Sequence, residues 1–466
     1  MPNHSSYPAA GPPCPGRHLQ RRRWWLTLPV LCIPVLSAQI DTSIVNLGVQ
    51  PMRHYFGAGT SALQWVIDSY NLLYAVLLLT GGQLADRYGR RRLLMSGTAI
   101  FTAASLLCAA APTVAVLIAG RALAGIGAAL MLPATLAVIR VVWPDPLERG
   151  RALGLWAACN GLALAIGPPI GGGLITRFGW RSIFLLAVPL GLTTLLLAPH
   201  AMPESTQASA RHFDFGGQVL GTLALAGFAV AAIAAHEHPP AAAIALIGSV
   251  LALGLFIRHQ AGQGSRALVP IKLFSIARFW RAMIATSGMT FGMYGVLFLL
   301  PLTWQATGRF GSVGAGIALL PMALVFVATS PLSGQLTARF GARPMTGGGV
   351  AIIAAGLLSI SVGVQFTALA AAELGCALTG LGMGLATGPL MAVAVGAVNA
   401  QRSGTAAALI NVARMVGATL GVAILGTVFA LAQGPAQGLQ HAMWLGALVQ
   451  LAAAGVAWTL PAMARS

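Results

Sequence analysis

Charge is what this chain lacks. Only 8% of its 466 residues are Asp, Glu, Lys or Arg, against about a quarter in a soluble globular protein. Acids are scarcest, nine in all, and lysine occurs once, as Lys272, beside 26 arginines. Cysteine is also sparse. Cys14, Cys32, Cys108, Cys159 and Cys376 include no CxxC pair, and four of the five fall in apolar runs, so neither a disulfide framework nor a metal site is indicated. No His/Cys/Asp ligand cluster or nucleophile–base pair stands out, which argues against an enzyme and calls for no cofactor. Nor is there a basic domain interleaved with aromatics. The net charge of +18 would suggest nucleic acid in a soluble protein, but the arginines are spread over short segments, so the charge reads as membrane topology. The excess of Arg over Lys, with abundant Ala and Gly, suggests a GC-rich bacterial genome.

What the chain does have is long apolar runs, with 57% of residues hydrophobic. Stretches of ~20 apolar residues are the unit of a helical membrane protein. Fourteen are expected: near 24–48, 62–84, 93–111, 113–139, 152–174, 181–199, 215–235, 241–257, 282–305, 312–337, 345–365, 369–397, 404–430 and 441–461. The first 23 residues read as a flexible tail. Arg21, Arg22 and Arg23 before an apolar run resemble a signal peptide, but the run is too long and lacks a clear cleavage site, so it reads as an uncleaved span. An even number of spans puts both termini on one side. With the N-terminus inside, twenty-one basic residues fall on inner segments and four on outer ones (Arg53, Arg177, Arg181, Arg309), so both termini are expected in the cytoplasm. The longest gap between spans is about two dozen residues, too short for the soluble output domain of a receptor or scaffold.

Residues 82–92, GQLADRYGRRR, form a polar knot between two spans and read as a tight loop. The knot recurs at 334–343 as GQLTARFGAR, with six of ten positions identical at an offset of 252. A second echo pairs Gly125-Ile-Gly127 with Gly380-Leu-Gly382, offset 255. Two six-helix halves alone would repeat at roughly 200 residues, and the surplus of about fifty matches two additional spans between them. The expected organisation is therefore a tail at 1–23, a six-helix bundle at 24–200, a linker with two extra spans at 201–281 and a second six-helix bundle at 282–466. In the knot, Gly82 and Gly89 supply backbone freedom for the turn. Asp86 and Arg87 can pair with each other or with a helix terminus that slides past, and Arg90, Arg91 and Arg92 anchor the segment to the cytoplasmic face.

Three charges inside the spans share a depth: at 1.5 Å per residue, Arg121 lies ~12 Å and Asp68 ~9 Å from the outer ends of their spans, and Asp41 ~25 Å along the first. An intramembrane guanidinium normally faces the bundle interior with a partner. A carboxylate whose contact with Arg121 changes between conformations can load and release a proton. Asp41 is thus the candidate proton-coupling carboxylate and Arg121 its modulator, the alternative being a fixed ion pair. Asp68 would bind a cationic substrate, share the proton or be solvated near the rim. Glu373 is either a further cation-binding acid or a solvated one. Arg414 suits helix packing or a gate, and Tyr70 and Tyr294 are the aromatics chosen to line a cavity. In 161–172, Gly161, Gly167, Pro168, Gly171 and Gly172 form a dense run suited to close helix packing and bending.

These residues together resemble the drug:proton antiporter branch of the major facilitator superfamily with fourteen spans, over nearly the whole chain after residue 24. The carriers are DTSIVN at 41–46, WVIDSY at 65–70, the knot at 82–92, the segment 121–133 and the run 161–172, which distinguishes exporters from importers. The resemblance implies an all-α integral membrane protein with two six-helix repeats about an axis along the membrane normal and a substrate site between them. It also implies export of amphipathic, often cationic, small molecules through a bacterial cytoplasmic membrane, driven by proton influx, by a protein that works as a monomer. A dedicated exporter of one secondary metabolite shares the pattern, a proton-driven importer fits it less well, and Na⁺ in place of H⁺ stays open.

Overall fold

In a computed structural model, residues 16–460 are described, apart from 144, 203, 206–213, 236, 237, 265, 266, 268, 367 and 399–402. Expectations for residues 1–15, Cys14, Arg211, Arg266, Arg402 and Arg465 therefore concern positions outside the described residues.

The described chain is helical, without strands. Its long helices are α1 (Gly16–Phe56), α2 (Thr60–Tyr88), α3 (Arg90–Ala110), α4 (Val114–Val142) and α5 (Pro146–Phe178). There follow α6 (Ser182–Ala201), α7 (Phe215–Ala234), α8 (Pro239–Gln263), α9 (Ala277–Ala306) and α10 (Ser312–Phe340). The last are α11 (Pro344–Gln365), α12 (Leu369–Gly396), α13 (Ser403–Ala430) and α14 (Pro435–Trp458). Thirteen described stretches are long and apolar enough to cross a bilayer, and the 33-residue α5 is the fourteenth long helix. Local chemistry sets several ends. Thr113 accepts from Val116 N at 3.3 Å to cap α4, and Asp145 accepts from Glu148 N at 2.9 Å, ahead of Pro146, to cap α5. The first helix starts at Gly16, inside the stretch read as a tail, because HLQRRRWW offers good helix formers and no breaker. Within α10, turns ahead of Pro321 and at Pro331 depart from regular α-helix, since each ring removes a donor.

The packing repeats with a shift of eight helices. In the first half α1 packs on α5 and α6, α2 on α4, and α3 on α4 and α6. In the second half α9 packs on α13 and α14, α10 on α12, and α11 on α12 and α14. The glycine echo works the same way in both. A Cβ on Gly125 would lie 2.5 Å from the Tyr70 carbonyl oxygen on α2, and one on Gly380 would run into the Met322 carbonyl on α10. The second glycine of each pair faces the other neighbour: Gly127 meets Gly97 and Phe101 of α3, and Gly382 meets Gly349 and Ile353 of α11. Removing the side chain at these points lets backbones touch, which is how helices gain contact where no hydrophobic force separates them from lipid.

The polar knot is not a loop. Residues 82–88 are the last turns of α2, Arg90 opens α3, and Gly89 alone makes the joint at φ 108°. Its repeat mate Gly341 has φ 90°, so each half turns on one left-handed glycine. This Gly89 side of the molecule is also where α4 leads into α5. Gly82 does not serve the turn: it sits inside α2, about two turns before Gly89, and a Cβ there would touch only Pro133 at an ordinary 3.9 Å. Its neighbour Gly81 is the close-contact residue, against the Ala129 carbonyl of α4.

The halves meet where α2 packs on α13, α5 on α10 and α1 on α9. Gln64 donates to the carbonyls of Val422 (3.3 Å) and Ala423 (3.0 Å), and Gln305 to that of Leu47 (3.2 Å). These bonds all lie toward the side opposite Gly89. The extra helix α7 bridges the halves: Gln218 binds the Val76 carbonyl (2.9 Å) and the Thr80 hydroxyl on α2, and Thr427 of α13 donates to the Ala232 carbonyl (2.7 Å). Helix α8 packs on α7 and turns Ile244 and Leu251 outward, as a lipid-facing helix does. Asp214, ahead of α7, binds Gly217 N (2.8 Å), His259 Nε2 (2.7 Å) and Gln260 Nε2 (2.6 Å), clamping the two helices. Burial works to raise its carboxyl pKa, and these hydrogen bonds outweigh burial and hold it below the ordinary value. The clamp therefore contributes at neutral pH and is lost only as pH falls through that lowered pKa, below the ordinary carboxylate value.

The two adjacent glycines give a sharp contrast. Gly81→Ala should destabilise the protein by about 1–3 kcal/mol through backbone collision. Gly82→Ala should be neutral or stabilising by up to about 1 kcal/mol, from lost chain entropy. Thermal unfolding of the purified variants in detergent checks both, and equal melting points would refute the assignment of close contact to Gly81.

Candidate functional site

Arg121 enters the protein interior from α4, about 10 Å along that helix at 1.5 Å per residue. It is 2% exposed and gathers three helices. Its Nη1 lies 2.6 Å from Asp41 Oδ2 on α1, its Nε donates to the Val66 carbonyl of α2 at 3.0 Å, and its guanidinium stacks over the Tyr70 ring at 4.5 Å. Asp41 is likewise buried. The expected pairing of Asp41 with Arg121 is present in this conformation. Tyr70 serves this cluster, with Tyr74 6.0 Å away ring to ring, and does not reach the cavity described below.

Asp68 shares their depth but not their direction. Val66 and Tyr70 face α4, whereas Gln64, Asp68 and Asn71 follow the i, i+4, i+7 stripe of another face of α2. Gln64 on that stripe is bonded to α13, so Asp68 lies in the α2–α13 seam. It is fully buried, and neither carboxylate oxygen has a hydrogen-bond partner. Both polar atoms of Asn71 and the hydroxyl of Thr419, one turn before Ala423 on α13, are also unsatisfied.

Between the halves lies a cavity lined by five helices. Helix α1 contributes Gln39, Thr42 and Ser43, and α9 contributes Met289, Thr290, Met293, Tyr294 and Leu297. Phe326 of α10, Met383 and Thr387 of α12 and Arg414 of α13 close it. Each of these residues sits near the middle of its helix, so the cavity is at mid-depth. Tyr294 lines it as expected, and Arg414 is on its wall, where the sequence suggested packing or a gate. Asp41 lies one residue from Thr42 and so adjoins the cavity without lining it. Asp68 and Glu373 are elsewhere. Glu373 is half-buried one turn into α12, about 15 Å along the helix from Met383. The methionines were not singled out from sequence, although Met289 and Met293 at i, i+4 on the ninth span were a legible stripe.

At the Gly89 joint, Asp86 pairs with Arg90 at 2.8 Å and not with Arg87, which stacks on the Tyr88 ring at 5.4 Å. The turn at Gly89 brings Arg90, the first residue of α3, back onto Asp86 in the last turn of α2. The anion that caps α3 went unforeseen. Glu204, beyond α6, accepts from Arg91 N and Arg92 N, both at 3.1 Å, a carboxylate on a helix N-terminus. A Cβ on Gly89 would lie 2.5 Å from Glu204 Oε1. No motif marks Glu204 in the sequence. In the 161–172 run, Gly167 and Gly171 face Ser43 and Ile44 of α1. On the other side Gly161 faces Val327, and Gly172 lies where a Cβ would be 2.7 Å from the Ser312 carbonyl of α10. The Pro168 carbonyl, 2.5 Å from a Cβ on Gly316, belongs to the same contact. This run joins the halves.

Removing one partner of a buried ion pair strands the other charge, at a cost of about 3–5 kcal/mol. Asp41→Ala should therefore destabilise the protein strongly, and Asp41→Ala combined with Arg121→Met should recover much of the loss. Thermal unfolding of the single and double variants measures the coupling, and additive losses would mean that the two side chains do not act as a pair.

The model of the Major Facilitator Superfamily matches residues 31–422. The methylenomycin A resistance protein of Bacillus subtilis is 35% identical over 432 residues, covering 91% of this chain and 92% of that one. The multidrug efflux pump LfrA of Mycolicibacterium smegmatis is 32% identical over 409 residues, covering 87% and 81%. Among solved structures, the inward-open xylose transporter XylE of E. coli superposes with a TM-score of 0.67 at 16% identity, over 94% of this chain and 96% of that one; at that identity the likeness speaks for the fold. The duplicated bundle, the mid-depth cavity and these matches lead to one conclusion: this multi-pass membrane protein belongs to the Major Facilitator Superfamily.

Proposed function

We propose that the chain exports amphipathic small molecules across a bacterial cytoplasmic membrane in exchange for protons, as a monomer with both termini in the cytoplasm. The observation that carries this reading is the buried Asp41–Arg121 pair standing one residue from the cavity wall. Protonation of Asp41 would cancel its attraction for Arg121, leaving the guanidinium to the Val66 carbonyl and the Tyr70 ring and loosening α1 from α4. Helix α1 also carries Thr42 and Ser43 of the cavity and receives Gln305 from the other half. A proton arriving at Asp41 is thereby felt both by the cargo and by the contact between halves. Alternating access then consists of parting the seam at Gln64 and Gln305. Asp68 lies in that seam, and opening it would give this carboxylate water that closure removes. Closing the seam over an unpaired charge is costly, so Asp68 would take part in the same exchange. The relatives' names, a methylenomycin A resistance protein and a multidrug efflux pump, support export.

Everted membrane vesicles test the exchange without foreknowledge of the cargo. With a pH gradient imposed, a panel of amphipathic compounds is added and proton release followed by a pH-sensitive dye. Wild-type vesicles should release protons with at least one compound, in choline medium as well as in Na⁺. Asp41→Asn should reduce the response by at least about tenfold at equal expression. Normal release in Asp41→Asn, or release only in Na⁺, would overturn the assignment.

A further inference from the structure

We infer that the cavity selects an anionic amphipath, a small acid with an aromatic or alicyclic body, and that Arg414 holds its acid group. The inference rests on the reading of this cavity as the cargo site. It departs from the expectation of cationic cargo, and the inventory of acids shows why. The whole chain has nine. Asp86, Asp145, Glu148, Glu204 and Asp214 lie at helix ends on the Gly89 side or in the connections there. Glu237 falls in the short connection between α7 and α8, outside the described residues. Of the three that remain, Asp41 is committed to Arg121, Asp68 is buried in the α2–α13 seam and Glu373 is about 15 Å along α12 from the wall. Among the described residues no carboxylate faces the cavity to receive a cation.

Arg414 does face it, and guanidinium groups do not deprotonate in proteins. No carboxylate lies within ion-pair distance of it among the described residues, and its buried Nε has no hydrogen-bond partner. Its neighbours are the phenols of Tyr74 and Tyr294, which can donate to an anion as readily as they accept from a cation. A charge this deep normally has a counter-ion, and the described residues supply none. The rest of the wall, with Met289, Met293, Met383 and Phe326, offers deformable apolar contact suited to a ring system. A carboxylate or sulfonate on such a body would accept from the guanidinium and from the Tyr294 hydroxyl, a charge-assisted arrangement, while its apolar part lies on the methionines.

Three probes with one skeleton isolate the charge: 2-naphthoate, 2-naphthamide and 2-naphthylmethylammonium. Their equilibrium binding to the purified protein in lipid nanodiscs should give naphthoate at least about tenfold tighter than naphthamide, with the ammonium weakest. Arg414→Gln should bring naphthoate down to the affinity of naphthamide while naphthamide changes less than about twofold, and Arg414→Lys should keep part of the preference. Tighter binding of the ammonium by wild type, an unchanged naphthoate affinity in Arg414→Gln, or no saturable binding of any probe would each overturn the inference. Should Arg414→Gln fail to fold, as judged by its melting curve, the wild-type order and the Arg414→Lys preference decide. Binding at equilibrium requires no proton gradient. Loss of the charge preference would leave proton exchange standing, and failure of proton exchange in vesicles would leave the binding result untouched.

Discussion

A guanidinium placed inside a membrane helix has to be matched, and much of the first half is arranged around meeting that demand at Arg121. One side chain draws a carboxylate from α1, a backbone carbonyl from α2 and an aromatic face from the same helix. Desolvation makes each charge costly alone and strongly attractive to the other, so the pair fixes how three helices sit relative to one another. It also stores a choice. One proton on Asp41 changes what α1 gains by staying beside α4, and α1 is a helix on which both the cavity and the contact between halves draw.

Around that charged centre, contact is made by subtraction. Gly81, Gly125 and Gly127 in the first half, and Gly380 and Gly382 in the second, remove side chains where backbones meet. The 161–172 run does the same between α5, α1 and α10. Contacts of this kind are rigid within a half, because a carbonyl against a glycine has nowhere to relax. Between halves, contact of this kind is described at α5 and α10, where Gly172 meets Ser312 and Gly316 meets Pro168, and the side-chain hydrogen bonds of Gln64 and Gln305 add to it. The extra helix α7 spans this seam on one flank, bonded to α2 through Gln218 and to α13 through Thr427.

Much of this was legible because it depends on period and composition. The fourteen apolar runs mark the helices, and the repeated GQL…G and GxG patterns mark equivalent turns and equivalent backbone contacts, borne out by the positive φ of Gly89 and Gly341 and by the shared neighbours of Gly125 and Gly380. The pairing of Asp41 with Arg121 was legible too, since depth along a helix follows from residue count. What failed were statements about direction and range. Asp68 matched Arg121 in depth yet lies on a different face of α2. Gly82 lay in the right motif but one residue from the glycine in contact. Asp86 was expected to meet Arg87 or a helix terminus, and it meets Arg90 at the head of α3, which the turn at Gly89 folds back onto it.

The sequence by itself determined that the chain is helical, membrane-spanning and duplicated, and that its few buried charges are exceptional, because hydropathy, period and scarcity are properties of the chain read along its length. Only the tertiary structure decided which of those charges meet. It placed Arg414 on the cavity wall with no acid opposite among the described residues, put Asp68 in the seam and set Glu204 on the head of α3. Each of these depends on the rotation of one helix against another, which is settled by side-chain volumes and backbone contacts from segments up to several hundred residues apart.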